Sequence, residues 1–349
     1  MSTIITVFIG IIGAGLAWIM GAPAPFLTGS ATLVTLSALI NIKCTISIPV
    51  RNISFAIIGI STAEGLSSKV FESSLTWPVS LIGMCLSITL LVILGRLIFQ
   101  HYFKLDRNTS ILASSPGHLS YVLSLSEDIS GNTVIISVIQ SIRVLTLTLA
   151  VPGTIALFTE YNMMSTVSSA EVLSHSHLGI IVGFSTLIGL ALLKFKIPAA
   201  FLLGGMICST LGHGFDLTPG VVPNALAISA FIVLGSLIGS RFTGVSFYTF
   251  KSCVFKGTLF TSISLFISII VAFIISLLTD FRLIEILIAI APGGLETMVV
   301  MGRLVGADPA FIAFHHLARL FFLLILFKNL LNLNKSEILI DIVKDLFGK

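Results

Sequence analysis

Runs of apolar residues recur along this chain, at 77–99, 257–279 and 309–327 among others. Each has about the 20 residues that an α-helix needs to cross the hydrocarbon of a bilayer. Hydrocarbon offers no water to exposed peptide groups, so a continuous run of this kind must satisfy its own backbone and becomes a helix. The rest of the composition agrees. Of 349 residues, 56% are hydrophobic and only 10% charged, and the mean hydropathy is +1.10. Soluble domains carry roughly a quarter charged residues, so this chain could not cover a water-facing surface of its size. An all-α, polytopic membrane protein is expected.

Within this apolar background one unusual pattern occurs twice. Ser115-Pro116-Gly117-His118-Leu119 is followed by Gln140 and Arg143; Ala291-Pro292-Gly293-Gly294-Leu295-Glu296 is followed by His316 and Arg319. Pro116 and Pro292, Gly117 and Gly293, Leu119 and Leu295, and Arg143 and Arg319 are each 176 residues apart. A second motif, Pro23-Ala24-Pro25-Phe26-Leu27, matches Pro198-Ala199-Ala200-Phe201-Leu202 at a shift of 175. A break in a membrane helix is tolerated where its freed backbone groups face protein or a cavity. A buried arginine is costly and marks function or a needed partner. Both features, duplicated, are what a transporter built from internal repeats carries.

The register divides the chain into a first membrane unit at 1–158, a polar linker at 159–177, a second unit at 178–332 and an amphipathic tail at 333–349. Residues 2–20 read as a retained first span, since they lack the basic start and small-residue cleavage site of a signal peptide. Five spans are expected in each unit, near 3–20, 23–40, 52–66, 77–99 and 132–157, then near 178–194, 198–212, 222–240, 257–279 and 309–328. The stretches 109–128 and 283–304 are each split by Pro-Gly and stand as either re-entrant hairpins or broken spans. Lys43 and Arg51, and Arg96, Lys104 and Arg107, mark the loops after the second and fourth spans of the first unit. Lys194 and Lys196, then Arg241, Lys251 and Lys256, then the basic tail mark those after the first, third and last spans of the second. Basic loops stay cytoplasmic, so the two units are out of phase by one crossing. The expected fold is two inverted repeats with both termini inside, the hairpin tips meeting near the midplane.

The candidate site follows from the breaks. A helix that starts after a break presents free N–H groups and a partial positive charge to an anion. The tips contribute Ser114, Ser115, Gly117, His118 and Ser120 from the first unit, and Gly293, Gly294, Glu296 and Thr297 from the second. Gln140 and Arg143, like His316 and Arg319, are three residues apart and share a helix face. Two readings of the arginines stand side by side: each braces the carbonyls of its break, or each binds an anionic solute. Glu296 either carries a coupling H⁺ or Na⁺ or is the standing partner of Arg319 or Arg143. Asp308-Pro309 reads as the cap and first turn of the last span.

Other chemistries find no support. Cys44, Cys85, Cys208 and Cys253 lie far apart, without metal or redox spacing. His315 and His316 are adjacent, so their rings leave a helix about 100° apart, unsuited to one metal. No enzyme motif is present, no cofactor is implied, and a net charge of +4 without a basic stripe gives no sign of nucleic-acid binding.

The segment Ala291-Pro292-Gly293-Gly294-Leu295-Glu296-Thr297-Met298, with Gly306-Ala307-Asp308 and His316-Leu317-Ala318-Arg319 behind it, resembles the AbrB family of bacterial membrane proteins. Ser115-Pro116-Gly117, Gln140-Ser141-Ile142-Arg143 and the Pro23 and Pro198 segments resemble the same family's duplicated unit, so the likeness covers 1–332. It implies a multi-pass protein of the bacterial plasma (inner) membrane, grouped with secondary transporters of inverted-repeat fold. Members also carry labels such as ammonia monooxygenase or regulator of gene expression. A monooxygenase needs a copper or iron site, and this chain has no ligand cluster for one. The first unit departs from the motif, with His118 at the second glycine and Ser120 at the acid, so an acidic role does not transfer to it. The function expected is alternating-access transport of a small anionic or zwitterionic solute. The alternative is a membrane sensor or regulator of gene expression acting without transport, through the 336–347 segment. Partners are then the bilayer, the solute and, in a homo-oligomer, further copies of the chain.

Overall fold

Fourteen α-helices make up the described part of the chain, a computed structural model that describes residues 2–63, 77–117, 119–158, 172–195, 197–214 and 220–331. The first half contains α1 (Ser2–Ile19), α2 (Pro25–Leu39), α3 (Ile48–Thr62), α4 (Trp77–Leu97, continued by a wide π turn over Ile98–Tyr102), α5 (Arg107–Ser114), α6 (Leu119–Asp128) and α7 (Thr133–Phe158). The second half contains α8 (His175–Lys194), α9 (Ala200–Gly214), α10 (Asn224–Ser240), α11 (Phe247–Leu278), α12 (Leu283–Ile290), α13 (Leu295–Leu304) and α14 (Pro309–Leu330). The order of lengths recurs: in each half four long helices precede a pair of 8 and 10 residues, and one long helix closes it.

Six helices (α1, α4, α7, α8, α11 and α14) have segments long and apolar enough to cross a membrane, and α2, α3, α9 and α10 are shorter apolar helices. Large apolar side chains point outward, among them Phe8 and Trp18 on α1, Phe184 and Leu187 on α8, and Phe266 and Leu277 on α11. That is the reverse of a water-soluble surface, and it makes the chain an all-α, polytopic membrane protein. Burial separates the helices. The apolar segment of α8 is 17% buried, whereas that of α7 is 61% buried, so α7 is a central helix and carries Gln140 and Arg143 inward.

Lipid tails are as apolar as leucine, so membrane helices hold together through close backbone approach and packing. The contacts between the two halves are of this kind. A side chain at Gly59 of α3 would collide with the Leu202 carbonyl of α9, and one at Gly205 with the Ala56 carbonyl of α3. Gly235 of α10 sits on the Leu27 carbonyl, and Gly239, one turn later, lies against Ala31 and Thr35. The α2 and α10 axes therefore run parallel. By contrast, Gly83 of α4 faces Val271 and Ile275 of α11, while Gly95 faces Phe260, so α4 and α11, each the fourth helix of its half, run antiparallel. One apolar core gathers Leu27, Ala56, Leu202, Leu234, Met298 and Ile312. A second gathers Met84, Ile111, Phe260, Ile290 and Leu323.

Several boundaries differ from those expected. The third helix begins at Ile48, so Arg51 is in its first turn instead of a loop. The long helix expected from 257 begins ten residues earlier, because Ser246 caps Phe247–Leu278 by accepting from the Thr249 amide at 3.1 Å; Lys251 and Lys256 are on this helix. α8 begins at His175, capped by Ser174. Asp308 caps α14 as expected, accepting from the Ala310 amide at 2.8 Å. Residues 159–171 of the linker and the 333–349 tail lie outside the described residues.

Candidate functional site

Proline sterically excludes the helical region for the residue before it. Ser115 is accordingly extended (φ −76°, ψ 131°) and ends α5. Ala291 (φ −55°, ψ 141°) ends α12 in the same way, before Pro292. The chain then turns and a second short helix runs back. The open ends of each pair are tied together. Asn108 Nδ2 donates to the Ile129 carbonyl at 2.8 Å, and the Asn132 amide to Thr109 Oγ1 at 2.8 Å. At the other pair, Arg282 Nη2 donates to the Gly306 carbonyl at 2.8 Å and also contacts Glu285. Entrance and exit of each pair are thus adjacent, so both are helical hairpins, not broken spans.

A helix stopped at Ser115 or Ala291 leaves carbonyls without helical partners, and these would be expensive to bury unpaired. The long helix that follows each hairpin supplies the donors. Gln140 Nε2 donates to the Leu112 carbonyl at 2.8 Å, and Arg143 Nη1 to the Ser115 carbonyl at 2.8 Å. His316 Nε2 donates to the Ile288 carbonyl at 3.1 Å, and Arg319 Nη1 to the Ala291 carbonyl at 2.9 Å. Every one of these donors lies 28 residues after its acceptor. Arg319 Nη2 adds bonds to the Gly293 carbonyl at 2.9 Å and to His316 Nδ1 at 2.8 Å. Because Nδ1 accepts there, His316 is the neutral tautomer with its proton on Nε2. The bracing role of the arginines is thus present in the geometry. The pairing of Glu296 with Arg319 or Arg143 is not: Arg319 is bound to carbonyls and His316, and among the described residues Glu296 makes no hydrogen bond or ion pair.

Both hairpin tips open on one cavity of about 490 Å³. Gly117, Gln140, Arg143, Gly293, Gly294, Glu296, Thr297, His316 and Arg319 line it. Ser114 and Ser115 do not. Their hydroxyls turn back to donate to Ile111 and Leu112 carbonyls at 2.8 and 2.9 Å, as short hydroxyl side chains near a helix end commonly do. Ser120 lies in the first turn of α6, and His118 is outside the described residues. His315 is turned away, bonded to the Phe311 carbonyl and to Ser80 Oγ, both at 2.8 Å. Among the described residues no group of three His, Cys, Asp or Glu could hold a metal ion.

Two further arginines line the cavity that the sequence reading assigned to membrane-surface loops: Arg51 at the start of α3 and Arg241 just after α10. Arg51 donates from Nε and Nη2 to Asn52 Oδ1 at 3.2 and 3.0 Å. The Arg241 guanidinium makes no hydrogen bond among the described residues and lies within electrostatic reach of Glu296. Their positions within one turn of an apolar helix end were the available signal, but a basic residue there usually marks the membrane surface. The lining thus holds four arginines against one glutamate. Arg143 and Arg319 are 3% and 4% exposed, and the Nε of each is buried without a partner.

The family model described as "Transition state regulatory protein AbrB" matches residues 26–334. The chain is 27% identical over 276 residues to "Uncharacterized protein YhjN" of Bacillus subtilis (strain 168), covering 73% of this chain and 71% of that protein. It is 24% identical over 286 residues to "Putative regulator AbrB" of Escherichia coli (strain K12), covering 77% and 78%. These bacterial relatives and the apolar helices make it a multi-pass protein of the bacterial plasma (inner) membrane, and neither the family description nor any motif in the chain is that of an enzyme. With a match running through both hairpins and the helices that brace them, the chain belongs to the AbrB family.

Proposed function

We propose that this protein binds a small anionic solute in the cavity between its two hairpin tips and carries it across the membrane by alternating access. The observation that carries this reading is that both tips and both bracing arginines line one cavity in which arginines outnumber acids four to one. That excess favours an anion over a zwitterion. Site residues on this reading are Gly117, Gln140, Arg143, Gly293, Gly294, Glu296, Thr297, His316 and Arg319, joined by Arg51 and Arg241.

The scaffold is proposed to be two inverted units, 1–158 and 178–332, each of five spans and one hairpin. The antiparallel run of α4 and α11 supports inversion, because they hold the same place in their units. So does the parallel run of α2 and α10, since α3, the counterpart of α10, returns from α2. The hairpins then enter from opposite faces and both termini are cytoplasmic. Arg51, the α8–α9 turn at Ile197–Ala200 and Arg241 lie on the cytoplasmic side of this arrangement, so the cavity is in its inward-facing form. Uptake of radiolabelled carboxylates into proteoliposomes tests the proposal; a reconstituted, folded protein that moves none of a broad anion panel, under any imposed gradient, overturns it.

A second reading is membrane-linked regulation, which the family description and the name of the Escherichia coli relative favour. In this form the cavity senses a solute without moving it. Transcript levels in a deletion strain complemented with a binding-competent but flux-dead variant separate the two: restored regulation without flux supports the sensor.

A further inference from the structure

Four arginines and one glutamate line the cavity. Arg319 and Arg143 lie within electrostatic reach of each other, Arg143 and Arg241 likewise, and Arg241 reaches Glu296. Like charges brought together away from bulk water repel strongly, because neither solvent nor salt screens them well. Backbone carbonyls relieve the hydrogen-bonding need of Arg143 and Arg319 but do not cancel their charge. Glu296 can offset one of the four positive charges lining the cavity, which leaves an excess of three.

The unused donors fall into two sets on different elements. At the tips are the partnerless Nε groups of Arg143 and Arg319 and the start of α13. There Gly294 offers no side-chain cap, and Met298 is the first amide to bond back to Gly294. The second set is at the helix ends, where Arg241 has its whole guanidinium free among the described residues and Arg51 has Nη1 beyond its bonds to Asn52. A monoanion can neutralise only one of the three excess charges, and a phosphate at most two. Two sets of planar guanidinium donors suit carboxylates held apart on one carbon skeleton, and a cavity of this size is ordinary for a small metabolite.

We infer that the solute is a small polycarboxylate, one carboxylate at the hairpin tips and another between Arg51 and Arg241, an assignment that rests on the anion-binding reading above. Glu296 Oε2 lies beside Gly294 at the start of α13 and repels any carboxylate next to it, so the carboxylate at the tips is held on the Arg143 and Arg319 side. The specificity-determining residue is Arg241, the cation with no duty to the fold.

Isothermal titration of the purified full-length protein with butyrate, succinate and tricarballylate at one fixed ionic strength tests this. Affinity is expected to rise about ten-fold from butyrate to succinate, which adds a charge-assisted contact at the second set, and to rise again to tricarballylate, which offsets the third excess charge. Arg241→Gln should narrow the preference for succinate over butyrate to about two-fold or less, with thermal unfolding reporting whether the variant is folded. Equal affinities across the series for the unmodified protein overturn the polycarboxylate inference and leave anion binding intact. A folded protein that binds none of the three and transports no anion overturns both. The charge series needs no variant, so it decides the matter even if Arg241→Gln does not fold.

Discussion

Arg319 makes three hydrogen bonds where Arg143 makes one among the described residues, so the two breaks are braced unequally. Lysine keeps the charge but loses the planar fork that reaches two carbonyls at once. Arg319→Lys is therefore expected to cost about 2 kcal/mol, the scale of one or two hydrogen bonds from a charged donor. Arg143→Lys should cost less. Thermal unfolding in detergent measures both, and equal loss in the two variants would contradict the brace geometry. Glu296 is the one acid in the cavity lining and has no hydrogen-bond partner among the described residues, so in a transporter driven by H⁺ or Na⁺ the coupling role falls to it. Glu296→Gln should reduce gradient-driven accumulation far more than solute exchange, since exchange needs no net ion movement. Equal loss of both in proteoliposomes would assign Glu296 to solute binding alone.

At the scale of elements, the helices hold one another where side chains are absent. Gly59→Leu would push α3 off the α9 backbone, which cannot yield as a flexible side chain can, and a loss of about 1–3 kcal/mol is expected. Gly15 on α1 has nothing within 4 Å of a built Cβ, so Gly15→Ala should be neutral or stabilise by up to about 1 kcal/mol through helix propensity. Melting temperatures of the two variants check the contrast, and similar values would mean that the α3–α9 approach is looser than described. The breaks were legible in the sequence because Pro116 and Pro292 interrupt helices by local sterics and because a buried arginine must find acceptors. Their pairing of ends was not, since it depends on Asn108 and Arg282, polar residues at helix starts that look like ordinary caps. Arg51 and Arg241 were read as surface charges for a related reason: the sequence shows their nearness to a span's end, whereas their facing the cavity depends on helix packing. Ser246 lies outside the apolar run, so hydropathy placed the start of α11 too late.

For the whole molecule, the proposed topology places the two ends of α11 on opposite sides of the membrane. In a cysteine-free background, Ser246→Cys should react with a membrane-impermeant maleimide only after permeabilisation, and Asp280→Cys in intact cells. Both sites labelling from one side would exclude a crossing by α11 and with it the inverted arrangement. The unequal charge of the cavity lining also has an electrical consequence. Fixed charges whose aqueous access switches from one face to the other change their position in the membrane field, worth about 2.3 kcal/mol for each elementary charge moved fully across 100 mV. An empty cavity carrying excess arginine charge feels that field on its return; one filled by a trianion is close to neutral. Voltage should therefore set the rate of net turnover and leave one-for-one exchange of a tricarboxylate nearly unchanged, and valinomycin-clamped vesicles can measure both.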